Sequence, residues 1–186
     1  MPLLGKIMLT TSREPTAKIR TLCNDLARVI PNTVRVNRGK MSTDDVAEKA
    51  LEIDAERVVV IDRRQGGPGT IKFFKVEESG LVSIPPVVHV RSITLSRELG
   101  VSGVKPAVSL VMQPTMTSKE ISKLAGALSK FLDVPILLMG TSFENGCTIM
   151  TISCDETDRT VITFMSDPEH EVGPRIVVSS LEWEIE

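Results

Sequence analysis

Ile19-Arg20-Thr21-Leu22-Cys23-Asn24-Asp25-Leu26-Ala27-Arg28-Val29-Ile30 and Ile121-Ser122-Lys123-Leu124-Ala125-Gly126-Ala127-Leu128-Ser129-Lys130-Phe131-Leu132 carry one hydrophobic pattern twice, 102 positions apart. In each, apolar residues fall at offsets 0, 3, 4, 7, 10 and 11, which lines one face of a helix of about three turns. Each stretch follows a strand-like run, Ile7-Met8-Leu9 or Leu110-Val111-Met112. Each precedes a second one, around Val34-Arg35-Val36 or Ile136-Leu137-Leu138. A helix and two strands cannot bury their apolar faces alone, so the pattern predicts an α/β (α+β) fold of two pseudo-repeated halves packed as one compact unit over residues 1–186.

Outward from these helices, the first half reads as strand 6–11, helix 15–30, strand 33–37 and helix 43–54. Ser42 is the N-cap of that last helix, with Asp44 and Asp45 in its first turn. Residues 57–62 form a continuous apolar run suited to a buried central strand. Residues 63–69 read as a loop, 70–76 as a strand, 79–86 as turns and 87–90 as extended. A short segment at 92–99 leads into residues 100–106, the expected joint. The second half reads as strand 107–113, helix 118–132 and a meander near 147–153, 160–165 and 175–184, with Asn145-Gly146 marking a tight turn. Nothing in it matches the 43–54 helix, so the repeat is degenerate.

The chain has 186 residues, 41% of them apolar, with no Tyr, one Trp and five Phe; its core must be aliphatic. No run approaches the ~20 apolar residues of a membrane helix, and the first residues carry no secretory pattern, so a cytoplasmic protein without membrane partners is expected. Cys23, Cys147 and Cys154 lack the paired spacing of zinc sites, and Cys23 lies on an apolar helix face as a core residue. His89 lies in an alternating strand and shows a polar edge to solvent. His170 is a loop residue with a slightly raised pKa. No nucleophile elbow or helical metal pair appears, and no cofactor is expected.

The net charge of −2 hides an asymmetry: residues 1–92 are net +4 and residues 93–186 net −6. Within residues 1–40, eight basic residues face only Glu14 and Asp25, so an anionic partner would meet the first half. The stretch Asp62-Arg63-Arg64-Gln65-Gly66-Gly67-Pro68-Gly69 allows two readings. It is a glycine-rich hairpin turn, or a flexible loop whose amides and arginines take backbone phosphates. It runs into a strand rather than a helix and lacks Lys-Ser/Thr, which argues against nucleotide hydrolysis.

Thr11-Ser12-Arg13-Glu14-Pro15-Thr16, Asn24-Asp25-Leu26 and Arg35-Val36-Asn37-Arg38-Gly39 resemble the opening motifs of Brix-domain proteins. The Gly67-Pro68-Gly69 turn with Ile71-Lys72-Phe73, and Glu171-Val172-Gly173-Pro174-Arg175-Ile176, fit the same pattern, so the resemblance extends over nearly the whole chain. Without long basic tails, it looks like a minimal archaeal member. The resemblance implies two halves each similar to the anticodon-binding domain of class II aminoacyl-tRNA synthetases. It also implies a non-enzymatic, RNA-binding assembly factor in ribosome biogenesis, acting in pre-rRNA processing or subunit assembly. Its partners would be ribosomal RNA precursors or guide RNA and other assembly proteins. The RNA face would include Arg13, Arg35, Arg38, Lys40, Arg63, Arg64 and Arg175, whose guanidinium forks suit phosphate. The scarcity of aromatics argues against base stacking. Two alternatives stay open: a protein–protein interaction module with little RNA affinity, and a small-molecule enzyme with phosphates on the glycine loop. The alternation of Val34 and Val36 points both inward and turns Arg38 and Lys40 away from the core, beside the Ser42 helix start, as a phosphate seat.

Overall fold

The computed structural model describes residues 5–64, 67–115, 118–138, 140–141, 146–167 and 169–185, with the side chains of Arg64, Gly67 and Pro68 excluded. Asn145 of the expected tight turn, and Gln65-Gly66 of the glycine loop, lie outside these residues. The chain builds β1 (Lys6–Thr11), α1 (Ala17–Val29), β2 (Thr33–Arg35), α2 (Thr43–Glu52), β3 (Ala55–Arg64), β4 (Gly67–Glu77) and β5 (Gly80–Thr94). A 3-10 turn at Ser96–Leu99 leads to β6 (Ser109–Pro114), α3 (Lys119–Leu132), β7 (Cys147–Cys154), β8 (Thr160–Asp167), β9 (His170–Glu171) and β10 (Arg175–Glu182).

All ten strands join one sheet in the order β2-β1-β3-β4-β5-β10-β8-β7-β6, with β9 paired to β8. At one end β1 runs parallel to both β2 and β3. At the other, β6 runs parallel to β7, and Met112 forms a single parallel bridge with Ile136. The strand expected at residues 136–138 is thus reduced to that bridge.

Alternation sorts the side chains onto two faces. Ile7 and Leu9 face the main core with α1 and α3, where Phe73 meets Phe131 edge-on. Of the repeated six-residue pattern, Ile19, Leu22, Cys23, Leu26 and Val29 are buried in α1, and all six are buried in α3. Ile30 is the C-cap of α1, half-buried against the same core. Met8, Val58 and Val60 face the other way and are covered by Val46 and Ala50 of α2. Beneath β6 and β7 the equivalent face holds Val111, Cys147 and Ile149, with Leu137 and Met165 against them. Among the described residues no helix follows α3.

Three expectations change. Residues 80–86 are not turns: they belong to β5, a 15-residue strand, and only Ser79 of that stretch lies in a turn. The prolines misled because they lack N–H donors, but Pro85 and Pro86 sit where the β4–β5 register slips, between Ile71↔Val88 and Phe73↔Ile84. Residues 63–69 are not an open loop either, since β3 reaches Arg64 and β4 starts at Gly67. Val34 is 38% exposed rather than inward, because β2 is a three-residue edge strand that α2 does not cover there; only Val36 packs toward α2.

β5 binds the two ends of the sheet. Its first part pairs with β4 through Gly80–His89, and its last part pairs with β10 through residues 87–94. Two cross-links reinforce this. Arg57 of β3 donates to the Phe131 carbonyl at the end of α3 and to the Gly5 carbonyl (2.7 Å). Residues between the 3-10 turn and β6 run back to α1, where the Ala107 N–H donates to the Arg28 carbonyl at 2.7 Å.

Candidate functional site

The C-terminal ends of parallel strands β1 and β3 lie side by side and meet the starts of both first-half helices. The Ser12 N–H donates to the Ile61 carbonyl (3.0 Å), and the Arg63 N–H donates to Ser12 Oγ (3.2 Å), so the β1–α1 connection is stitched onto β3. Thr16 then caps α1, its hydroxyl accepting from the Ile19 N–H at 3.2 Å. Arg38 reaches the same place from the β2–α2 connection. Its Nε donates to the Met41 carbonyl (2.7 Å) and an Nη1 donates to the Thr11 carbonyl (3.3 Å). Burial first, and then the charge of Arg13, hold the Arg38 pKa below its ordinary value, with Asp62 and Asp45 opposing. Arg13 and Arg38 are therefore brought together, with Asp62 as the local counter-charge, and the Arg63 backbone is tied to the same connection. Lys72 on β4 shares Asp62 at 3.3 Å.

Arg38 departs from the expected phosphate seat. It is half-buried and already holds two carbonyls, so it fixes the loop as well as supplying charge. The neighbouring helix start is also occupied. The Ser42 hydroxyl accepts the Asp45 N–H (3.1 Å) and Asp45 accepts the Ser42 N–H (2.8 Å), a reciprocal cap that lowers the Asp45 pKa. With Asp44 beside it, this end of α2 carries negative charge where an anion was expected. Lys40 is exposed, and Arg35 donates to Asn37 Oδ1 at 2.9 Å.

Of the remaining two arginines, Arg175 stands apart from this cluster. Arg64 lies in β3, its side chain outside the described residues. Arg175 lies on β10, with β4 and β5 between it and β3. Its guanidinium forks onto Glu171, Nε donating to Oε1 at 3.1 Å, which raises its pKa.

Beside the arginine cluster, a recess of about 280 Å³ is lined by Lys18, Arg63, Gly69 and Arg91 over a floor of Ile19 and Ile93. Lys18 and Arg91 were not among the residues the sequence singled out. A signal for Arg91 exists: Val88 and Val90 alternate inward, but the next inward residue is Ile93, a slip of one position.

Elsewhere the chemistry is sparse. Cys23 is fully buried and its thiol pKa is pushed up to about 12 by burial. His89 is half-buried, its Nε2 3.0 Å from Glu182, rather than displayed to solvent. His170 is exposed, and its bond to Asp167 raises its pKa. Among the described residues no group of His, Cys, Asp or Glu could hold a metal ion, and no helix is long and apolar enough to cross a membrane.

This fold has close counterparts in archaea. A solved structure of a probable ribosomal biogenesis protein from Aeropyrum pernix superimposes over 98% of both chains with a TM-score of 0.77 and 27% identity. A probable Brix domain-containing ribosomal biogenesis protein of the same organism is 34% identical over 108 residues, and one from Pyrococcus horikoshii is 32% identical over 102. The chain is a homologue of archaeal Brix-domain proteins. The alignments to these two Brix relatives cover 57% and 54% of this chain, and 60% and 44% of the relatives' own lengths. The structure of Mil, an archaeal Imp4-like protein, shares the fold at 20% identity, with a TM-score of 0.68 over 96% of this chain. No protein-family model matches the chain.

Proposed function

We propose that this Brix homologue is a non-enzymatic, RNA-binding assembly factor in ribosome biogenesis, acting on ribosomal RNA precursors or guide RNA. The observation that carries the reading is the gathering of Arg13, Arg38 and the backbone of Arg63 around the carboxyl ends of β1 and β3. In open α/β sheets that is where ligands are taken up. The names of the relatives, as ribosomal biogenesis proteins, supply the context. Arg35, Lys40, Arg64 and Arg175 extend the proposed face outward, with Arg175 its most distant member. Recognition is by phosphate and shape, because guanidinium groups dominate the face and aromatic platforms do not.

The symmetry of the sheet supports internal duplication. β1, β2 and β3 around α1 correspond to β6, the Ile136 bridge and β7 around α3, and β4 and β5 correspond to β8 and β10. We take residues 1–186 as one domain of two such halves, basic and acidic, each akin to an anticodon-binding domain of class II aminoacyl-tRNA synthetases. The basic half meets RNA.

A second reading, a protein-interaction module, draws on Val108 and Leu138, which are 83% and 81% exposed near the β6 edge. Fluorescence anisotropy against pre-rRNA fragments separates the two. RNA binding that weakens in the Arg13→Gln/Arg63→Gln variant supports the first reading. Absence of RNA binding by the unaltered protein, with capture of an assembly protein, favours the second.

A further inference from the structure

The recess beside the arginine cluster owes its shape to two irregularities in adjacent strands. Between β5 and β10 the register runs from Val178↔Val90 to Val177↔Ser92, so Arg91 is an extra residue, inserted opposite nothing. Between β3 and β4 it runs from Asp62↔Thr70 to Arg64↔Gly67, so Pro68 and Gly69 face the single residue Arg63. Bulges of this kind bend a strand and re-aim its side chains, and they concentrate next to functional sites. Arg91 is the inserted residue of the first bulge and Arg63 stands opposite the second, and both line the one recess.

Gly69 keeps the second bulge possible. Its φ is +35°, and a Cβ there would stand 1.8 Å from the Asp62 carbonyl oxygen. Lys18, in the first turn of α1, supplies the third cation from the opposite wall. Among the described residues, no Asp or Glu lines the recess. Lys18 does pair with Glu98 at 3.3 Å, but both side chains are over 40% exposed, and such a pair holds its partners weakly. The floor, Ile19 and Ile93, is apolar and buried, and the three cations stand at its exposed rim.

We propose that Lys18, Arg63 and Arg91 form a seat for one phosphate group, and that its occupant is a backbone phosphate of bound RNA. The inference rests on the RNA-binding reading and extends it to two residues outside the arginine cluster. Three donors from α1, β3 and β5 surround a tetrahedral anion, and the two guanidinium groups offer paired N–H donors to its oxygens. The seat is sequence-blind, because nothing in it reaches a base edge.

The test compares the intact protein with the Lys18→Gln/Arg63→Gln/Arg91→Gln variant, using anisotropy of a labelled single-stranded pre-rRNA fragment from 50 to 300 mM KCl. Circular dichroism and urea midpoints confirm folding, which is expected to persist because all three side chains are exposed. The log–log salt slope should flatten by about 0.7, the share of one lost phosphate contact on a single strand, and affinity at low salt should fall at least about tenfold. Arg63→Lys with Arg91→Lys should restore most of the slope but less of the affinity, since charge returns without the forks. A variant that binds RNA with unaltered affinity and slope overturns the seat while leaving the RNA-binding reading intact. An unaltered protein that binds no RNA overturns both. Inorganic phosphate serves as a second probe. If it shifts the backbone amide resonances of Lys18 and Arg91 while RNA does not, the occupant is a free anion and the RNA assignment is overturned.

Discussion

Asp25 Oδ2, on the buried side of α1, accepts the backbone N–H of Ser96 at 2.9 Å. The bond crosses 71 positions and ties the first helix to the turn that leaves β5. Removing the acceptor strands a buried donor. Asp25→Ala should therefore lower stability by about 1–3 kcal/mol, and Asp25→Asn, which keeps an acceptor oxygen, by less. Urea titrations of the two variants check this; equal losses would show that shape rather than the bond matters.

Leu26 and Leu128 occupy the same offset in the repeated pattern and are 5% and 3% exposed within one core cluster. Truncation of either to Ala should cost about 2–5 kcal/mol. A near-zero shift in the urea midpoint for either variant would contradict the burial of its helix face.

Arg38→Gln separates a structural role from a charge role. The side chain holds the Thr11 and Met41 carbonyls, so its loss should destabilise the fold by about 1–2 kcal/mol. Lys40→Gln, at an exposed position, should leave the stability unchanged within about 0.5 kcal/mol. Equal stability of the two variants would return Arg38 to the free surface.

Gly69→Ala should destabilise by more than about 1 kcal/mol, because a Cβ there meets backbone rather than a side chain that can move. Its effect on RNA binding should resemble loss of Arg63, since the Pro68-Gly69 bulge packed opposite Arg63 is disturbed. Unchanged stability would show that the Asp62 strand yields freely.

Cys23 gives a pH signature. Its thiol titrates at about 12 in the folded chain, against an ordinary 9.0 when unfolded. The folded state thus favours the protonated thiol. Its contribution to stability is complete below pH 9 and is lost as pH rises from about 9 toward 12. Cys23→Ala should flatten the alkaline limb of the stability profile. In the native protein Cys23 should resist alkylation at pH 8 and react only on unfolding.

The elements legible in the sequence were those with local causes. The faces of α1 and α3 follow from spacing alone, the start of α2 from Ser42 and its acids, and β3 from its apolar run. What escaped depends on distant partners. β5 was broken at Pro85 and Pro86, because only its pairing with β4 shows that the missing donors fall at a register slip. The hold of Arg38 on Thr11 spans 27 positions, so its spacing from Ser42 suggested a free cation. Arg57, bonded to Phe131, carried no local mark of that role. The approach of Arg13 and Arg38, with the Arg63 backbone beside them, was legible only as a basic composition, because parallel pairing of β1 with β3 is what brings these segments together.

The pairing of β5 with β10 has a consequence for how the chain matures. Thr94 finds Arg175, and Val87 finds Glu182, more than 80 positions further along. During synthesis, β1 to β5 can assemble early, yet the outer edge of β5 keeps its N–H and C=O groups unpaired until β10 arrives. Such long-range closure is slow, and an open edge of this kind invites pairing with other nascent chains. Arg91, standing on that edge, places a positive charge on the waiting strand, and charged residues on an open edge discourage premature partners.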